Sequence, residues 1–413
     1  MTDTPKRPHP PADDTPQAGE SQGDVFRQIS DRRLKEILKL HQEWLDSDGK
    51  RGRRANLLEV NLRAVDFSGA NLQGARLSGA NLQEANLEAA DLERADLSEA
   101  NLKAANLREA NLQHARLSDA NLQEADLESA NLQQADLLNA YMVGAALLEA
   151  NLRSAKLFNA DLRRADLRHV DAQGAEFDHA NLQEADLLKA DLSGASLRGA
   201  SPRRARFSDA EMPGADLERA NLQGADLRHA RLRGANLQDA KLVSACLRQA
   251  DLGRANLLGA DLECADLWGA DLEGADLGGA NLRGADLRGA NLRGALLQGV
   301  NLFEASLQGA DLGGANLEGA DLGGADLHGA NLFEASLHGA VLKGAELWEA
   351  NLRGADLKDS TKLNQAQLDR AWGDRDTKLP EGLSIRMRAE DSADRESGWT
   401  FHGAETEDAA EDR

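Results

Sequence analysis

Apolar and polar positions in the middle of the chain repeat every five residues. A large or apolar residue stands at 61 positions spaced five apart, from Leu57 to Leu357, and 54 of them are leucine. Alanine precedes this residue by two positions, asparagine or aspartate usually lies between the two, and two variable residues follow. The exceptions to leucine are Phe67, Met142, Ala172, Phe177, Pro202, Phe207 and Met212. The spacing of five is kept from the first of these positions to the last.

This five-residue period fits neither a helix nor a flat strand. On an α-helix, each step of five turns the side chain by about 140°, so the leucines would spiral around the rod without forming an apolar stripe. On a flat strand, consecutive leucines would point to opposite faces. The pattern therefore predicts a chain that bends once in every five residues and directs each leucine and alanine inward, with its coils stacked as parallel strands.

The residues near each predicted bend agree with this geometry. Asparagine and aspartate tolerate turn conformations and bond to nearby backbone groups. Glycine often precedes the alanine, where it accepts backbone angles that other residues avoid. Its positions include Gly274, Gly279, Gly284, Gly289 and Gly294. Pro202 stands in a leucine position and lacks an N–H group, so a bulge or kink is expected there.

The repeated unit resembles the motif of the pentapeptide repeat family, A(N/D)LXX, from Ala55 to about Ser360. The resemblance implies an all-β solenoid: a right-handed quadrilateral parallel β-helix with four pentapeptides in each 20-residue coil. Residues 55–360 would then form about 15 coils and a rod roughly 70 Å long at the usual strand spacing.

Both ends of such a coil need caps, because a stacked coil leaves an open strand edge and an exposed core. Residues 25–54 are expected to form a capping helix and linker, with the helix from Ser30 to Asp46. Residues 361–386 are expected to form a second capping helix, from Leu363 to Trp372, and a turn. Dimerisation through these helices is the open alternative. Residues 1–24 and the acidic tail at residues 387–413 are expected to be disordered.

Composition narrows the class of protein. The 413-residue chain has a formal net charge of −22 and only two cysteines, so it carries no disulfide framework. Cys246 and Cys264 are expected to lie too far apart for a disulfide. No apolar run approaches the ~18 residues of a membrane-spanning helix, and the N-terminus does not read as a secretory signal. We expect a cytoplasmic protein with no membrane contact.

The sequence offers no catalytic constellation. It contains neither a phosphate-binding loop nor a dinucleotide-binding motif in the required strand–turn–helix context. Its histidines and carboxylates are distributed along an outward surface. We therefore expect no enzymatic activity, no cofactor and no metal site.

The outward residues supply weak candidates for a partner-binding site. The densest acidic stretch, which lacks any basic residue, contains Asp261, Glu263, Asp266, Asp271, Glu273 and Asp276. Trp268 and Trp348 are 80 residues apart and would share one face. The break at Pro202 carries Arg203, Arg204 and Arg206. Each feature has a simpler explanation. The acidic stretch would be a solvated surface, the tryptophans would be isolated exposed aromatics, and the break at Pro202 would be a tolerated defect.

These observations favour a non-enzymatic, rod-like scaffold that binds another protein through its charged outer faces, without direct nucleic-acid binding. The first alternative follows from the resemblance, because some pentapeptide repeat proteins mimic the DNA duplex and occupy the DNA site of type II topoisomerases such as gyrase. Against it, the repeat carries a net charge of −18 over roughly 70 Å, or about one charge per 4 Å, whereas B-DNA carries about one per 1.7 Å. The second alternative is a mechanical spacer with partner-binding termini.

Overall fold

The computed structural model describes residues 26–387, and most of them belong to one continuous coil. Parallel β-bridges join residues 20 apart, beginning with Asn56 and Arg76 and ending with Val341 and Thr361. Four pentapeptides therefore complete one coil, and equivalent residues of successive coils lie directly above one another. The regular helices and strands lie outside this coil. They are α1 (Asp31–Asp46), α2 (Gln365–Leu368), β1 (Trp372–Gly373) and β2 (Arg386–Met387).

The interior of the coil is filled by the two positions that the period predicts. The leucine position is buried throughout, and the alanine position is buried in nearly every unit. Pro202 and Ala172 occupy the same inward position as the leucines, and neither shifts the frame. Alanine suits its position because a narrow coil has no space for a larger side chain beside each leucine.

Hydrogen bonds between coils satisfy most of the backbone N–H groups. In a typical unit, three of the five N–H groups donate to carbonyls of the coil before or after, and a fourth closes a turn within the coil. The fifth N–H donates to the side-chain Oδ1 of the asparagine or aspartate two residues earlier, as in Gln223 to Asn221 at 3.2 Å. The recurrent asparagine or aspartate thus supplies the one acceptor that the backbone lacks.

The bends lie at the position before each alanine, which we call the corner position. Every residue from 59 to 359 at this position has a positive φ between 53° and 70°, whether it is glycine or not. The expected role of glycine is therefore confirmed. The asparagine and aspartate residues do not form the bend themselves, because they occupy the bridged positions.

The stacked polar side chains form ladders along the rod. On one side, Nδ2 of Asn331 donates to Oδ1 of Asp311 at 2.8 Å, and Asn351 donates to Asn331 at 2.8 Å. These three side chains are buried. Aspartate begins the ladder because it only accepts, and each asparagine continues it because its amide both donates and accepts.

Pro202 removes one backbone hydrogen bond between coils, and the 20-residue register of the coil is kept. The bridge expected between Ser201 and Asn221 is missing from the otherwise continuous series on this side, because Pro202 has no N–H to donate to the Asn221 carbonyl. The neighbouring corner residue Arg204 keeps its φ of 54°. The prediction of a bulge was therefore wrong: the chain loses a hydrogen bond and inserts no residue.

The N-terminal segment covers the first coil. Arg27 forms a parallel bridge with Val60, and α1 follows, capped by the Ser30 side chain, which accepts the N–H of Arg33. Leu34 of α1 is buried in the core of the coil. The predicted helix from Ser30 to Asp46 is confirmed, with Ser30 as the residue before its first turn.

His41 fixes α1 to the start of the coil. Its ring is fully buried and stacks on Trp44, with 5.6 Å between ring centroids. Its Nδ1 accepts the N–H of Ala55 at 3.2 Å, while its Nε2 has no partner among the described residues. Burial, assisted by the positive charge of Arg54, lowers the pKa of His41 below 6.5.

The C-terminal segment covers the last coil, but its secondary structure differs from the prediction. The helix expected from Leu363 to Trp372 is reduced to the four residues of α2, and Trp372 instead begins β1, which pairs in parallel with β2. The side chain of Gln367 donates to the carbonyls of Leu342 and Ala345 at 2.8 and 2.9 Å. A side chain of α2 and the backbone of the residues after it thus donate to the open end of the coil.

Leu222→Asp tests the inward assignment of the leucine position. Leu222 is completely buried between coils, so an unpaired carboxylate there should cost on the order of 3–5 kcal/mol. Chemical denaturation followed by circular dichroism measures the loss. Gln223→Asp, on the exposed neighbour, should change stability little. Equal stability of the two variants would contradict the assignment.

Asp311→Ala tests the side-chain acceptor of the fifth N–H. Oδ1 of Asp311 accepts the buried N–H of Gly313 at 3.0 Å. Removing it should cost at least about 1–3 kcal/mol, because the Gly313 N–H and the Asn331 amide both lose their acceptor. Asp311→Asn keeps an oxygen in place and should retain most of the stability in the same denaturation experiment. A loss as large for asparagine as for alanine would show that the carboxylate charge, rather than the acceptor, matters.

The lowered pKa of His41 predicts a loss of stability in mild acid. As the pH falls through about 6.5, the unfolded chain binds a proton that the folded protein resists. The free energy of unfolding should therefore decrease below that pH and level off below the folded pKa. His41→Asn should flatten this dependence as the pH falls through about 6.5, whereas the control His229→Asn, at an exposed corner, should leave it in place. Identical pH profiles for all three proteins would contradict the prediction.

Candidate interaction surface

The coil presents four outer faces, which we name by the inward residue that each covers. Face A covers Leu62, face B Phe67, face C Leu72 and face D Leu77, and each face recurs every 20 residues. A face displays two columns of side chains, one on each side of the buried leucine, and the corner columns separate neighbouring faces. Because A, B, C and D follow in order around the coil, A lies opposite C and B lies opposite D.

The negative charge is concentrated on two opposite faces. Counting each face with the corner that follows it, face B carries 15 acidic and 7 basic residues, and face D carries 14 and 6. Face A carries 8 acidic and 9 basic residues, and face C carries 10 and 7. The net charges are therefore −8 on B and on D, +1 on A and −3 on C.

Arginines neutralise part of face B through pairs within one pentapeptide. Arg168 binds Asp166 at 2.6 Å, Arg228 binds Asp226 at 2.7 Å and Arg288 binds Asp286 at 2.6 Å. These pairs lie 60 residues apart, so they recur at every third coil of the same face. The Arg168 guanidinium holds the pKa of the Asp166 carboxyl below its usual value. The middle of face B is therefore less acidic than its aspartate column suggests.

The predicted acidic stretch does not form a patch on one face. Its six residues pass once around the coil: Asp261 and Glu263 on face A, Asp266 on face B, Asp271 and Glu273 on face C, and Asp276 on face D. Basic residues from other coils also reach it. Arg248 binds Asp266 at 2.6 Å, and Arg283 lies 3.9 Å from Glu263. The apparent density of the stretch reflects adjacency in sequence.

The two tryptophans do share a face. Trp268 and Trp348 lie in the same column of face B, four coils apart. Trp268 is half-buried, whereas Trp348 is 46% exposed. His328, in the coil below Trp348, packs edge-on against its ring with 4.1 Å between centroids. Glu346 and Glu349, both exposed, flank the indole.

A family model described as pentapeptide repeats matches overlapping segments that together run from residue 53 to residue 371. The chain belongs to the pentapeptide repeat family. No curated protein matches it.

Several solved structures resemble the chain. HetL, a pentapeptide repeat protein involved in heterocyst differentiation regulation from the cyanobacterium Nostoc sp. strain PCC 7120, is 32% identical over 64% of this chain and 88% of its own, with a TM-score of 0.17. A trypsin-treated form of QnrB1, a plasmid-mediated fluoroquinolone resistance protein, is 20% identical over 52% and 88%, with a TM-score of 0.28. A pentapeptide repeat protein from the Arabidopsis thaliana thylakoid lumen is 38% identical over 25% and 68%, with a TM-score of 0.18.

In this pentapeptide repeat protein, the three arginines near Pro202 do not act as one group. Arg203 projects from face A, Arg204 lies at the corner between faces A and B, and Arg206 belongs to face B. Arg206 binds Asp186 at 2.8 Å. Lys241, which the sequence analysis did not single out, lies two coils above Arg203 on face A. Steps of 20 place Lys241 in the column of Ser201 and Asn221, which is the other column of the same face.

Other chemistry is sparse over residues 26–387. No group of three or more histidine, cysteine, aspartate or glutamate side chains there could hold a metal ion. Cys246 and Cys264 are both free thiols, as expected. None of the described helices is long and apolar enough to cross a membrane.

Proposed function

We propose that this protein is a non-enzymatic scaffold that binds another protein through face B. The observation that carries the proposal is the column containing Trp268 and Trp348. Exposed aromatic side chains held on a rigid surface are typical anchors of protein interfaces. Glu346 and Glu349 lie beside Trp348, whereas Trp268 stands between Arg248 and Arg288 in its column.

Trp348 is the stronger of the two anchors. Nearly half of its surface is open to solvent, and His328 supports one edge of its ring. The backbone beneath it belongs to the hydrogen-bonded coil: the Gly329 N–H donates to the Trp348 carbonyl at 2.9 Å. A partner would therefore bury an indole whose position is already fixed, and little conformational entropy would be lost.

The surroundings of Trp348 indicate the chemistry of the partner. Glu346 and Glu349 border the ring, and His328 Nε2 lies 4.0 Å from Glu349. A complementary surface would offer an apolar pocket for the indole and basic residues around its rim. We expect association to weaken as salt concentration rises, because the rim charges are exposed.

Affinity capture with matched variants tests this proposal. The intact protein is immobilised, and proteins that it retains are identified by mass spectrometry and then purified. A double variant, Trp268→Ala with Trp348→Ala, should weaken binding of the retained partner by about tenfold or more. Phe303→Ala with Phe333→Ala removes two aromatic residues from faces A and C and should have little effect.

Three outcomes would contradict binding through face B. The purified partner could bind the tryptophan double variant as tightly as the original protein, or the phenylalanine variant could lose as much affinity. Binding could also depend on residues 1–25 or 388–413 instead, and a shortened variant without them tests this. That last result would favour the alternative of a mechanical spacer with partner-binding ends.

Mimicry of DNA is a second candidate, and the arrangement of charge favours it. Faces B and D lie opposite each other and each carries a net charge of −8, so each end of the rod presents two acidic tracks, which residues 196–255 interrupt. A DNA duplex also presents its phosphates as two tracks. The target would then be a type II topoisomerase such as gyrase. Protein that leaves gyrase supercoiling unchanged at about 10 μM, well above a typical specific affinity, would remove this candidate.

We also propose the handedness of the coil, its four-sided cross-section and its two caps. A right-handed quadrilateral β-helix, with caps at residues 25–54 and 361–386, agrees with the bridges at steps of 20 and with the burial of Leu34 and Leu368. A cytoplasmic location is consistent with the two free thiols.

Dimerisation through the two ends of the rod is the remaining alternative. Sedimentation of the intact protein would detect it.

A further inference from the structure

The charge of the rod changes sign along its axis. Residues 55–195 carry 23 acidic and 12 basic residues, and residues 256–360 carry 17 and 6. Between them, residues 196–255 carry 7 acidic and 11 basic residues. Three coils with a net charge of +4 thus separate two blocks that each have a net charge of −11. We call these three coils the basic belt.

Most cations of the basic belt already have a carboxylate partner. Arg228 binds Asp226 at 2.7 Å, Arg231 binds Glu211 at 2.8 Å and Arg248 binds Asp266 at 2.6 Å. Arg206 and Arg198 are likewise paired, with Asp186 at 2.8 Å and with Glu218 at 3.3 Å. These pairs lie on faces B, C and D, so the basic residues there are largely neutralised.

Face A of the basic belt is different. Between Glu184 and Asp261, this face contains no acidic residue. Its cations are Arg203, Arg204 and Lys241, all exposed, and none of the three forms an ion pair with a described residue. The nearest carboxylate along the corner column, Glu184, is bound by Arg164 at 2.9 Å; that pairing and the charge of Arg204 in the next coil both lower the pKa of Glu184.

The geometry of the coil brings these three cations together. Arg203 and Arg204 are neighbours in sequence, and Lys241 lies two coils farther along the same face. The two coils separate them by about 10 Å along the axis at the usual strand spacing, and Lys241 stands in the other column of the face. Gln223 and Gly224, both exposed, lie in the coil between them. The group therefore forms a flat cationic surface with a polar, uncharged centre.

We propose that this surface of face A binds a short acidic segment of a partner protein. Charge complementarity identifies the ligand as an anion, and the length of the basic belt limits its size. Three coils extend roughly 14 Å, which an extended peptide of about four residues would span. The site goes beyond the proposed function because it lies on another face and selects a partner segment of opposite charge.

The acidic blocks favour a short peptide over a nucleic acid. A duplex lying along face A would extend past the basic belt in both directions, into blocks that each carry a net charge of −11. Asp261 and Glu263 lie on face A itself, whereas Arg163 and Arg164 offset the carboxylates of face A on the other side. Repulsion over a Debye length of about 8 Å at physiological salt would oppose that contact. A short acidic segment can end before it reaches either block.

Fluorescence anisotropy with the intact protein and a labelled hexaglutamate peptide tests the proposal. The peptide should bind at low salt and dissociate at about 0.5 M salt, where exposed charges are screened. Replacing Arg203, Arg204 and Lys241 together by alanine should weaken binding roughly tenfold. Replacing all three by the other basic residue, with arginine and lysine exchanged, should restore most of it.

The matched control removes three paired cations from the same belt. Arg228→Ala, Arg231→Ala and Arg248→Ala together change the net charge by the same amount and should weaken peptide binding less than about twofold. Circular dichroism confirms that both triple variants keep the fold. Equal losses for the two variants, no measurable binding at about 1 mM protein, or tighter binding of a 20-base-pair duplex than of the peptide (about two helical turns) would each overturn the proposal.

Discussion

The hydrogen bonds between consecutive coils are the interaction on which the rest of the structure depends. Each pentapeptide directs three N–H groups to neighbouring coils, closes one turn and gives its last N–H to an asparagine or aspartate side chain. This arrangement holds only if equivalent residues recur after 20 positions. The constant length of the coil therefore explains the alanine, the leucine and the recurrent asparagine or aspartate together, since each occupies a position that the bonding fixes.

The same constraint decides which surface residues meet. Two side chains that are neighbours in sequence usually point to different faces, whereas residues 20, 40 or 60 apart stand in one column. The acidic stretch from Asp261 to Asp276 is consequently distributed around the rod. Arg203 and Lys241, which are distant in sequence, share a face. A binding surface in this fold is formed by residues that share a face of the coil. The composition of a contiguous segment therefore does not predict such a surface.

Much of the fold could be predicted from the sequence because the repeat is so regular. The inward leucines, the strained corners and α1 follow from period, local chemistry and helical spacing. The C-terminal cap was less predictable. Residues 363–372 have a helical pattern, but the open coil needs donors for its carbonyls; Gln367 supplies them from the short α2, and Trp372 supplies one from a strand. The expected bulge at Pro202 does not form, because the missing N–H removes one hydrogen bond locally while the neighbouring coils maintain the register. Of the candidate site, the shared column of Trp268 and Trp348 could be predicted, and so could the pairing of Asp166, Asp226 and Asp286 with arginines two residues later. Pairs between coils, such as Arg248 with Asp266, could not.

Distances between spin labels on one face test the 20-residue coil most directly. With Cys246 and Cys264 replaced by serine, labels are attached to cysteines introduced at Glu128 and Arg228 in one variant, and at Glu128 and Arg288 in another. All three positions lie in one column of face B. The separations should be narrow and close to about 24 Å and 38 Å, corresponding to five and eight strand spacings. Broad distributions, or separations that do not increase in proportion to the number of coils, would contradict the account.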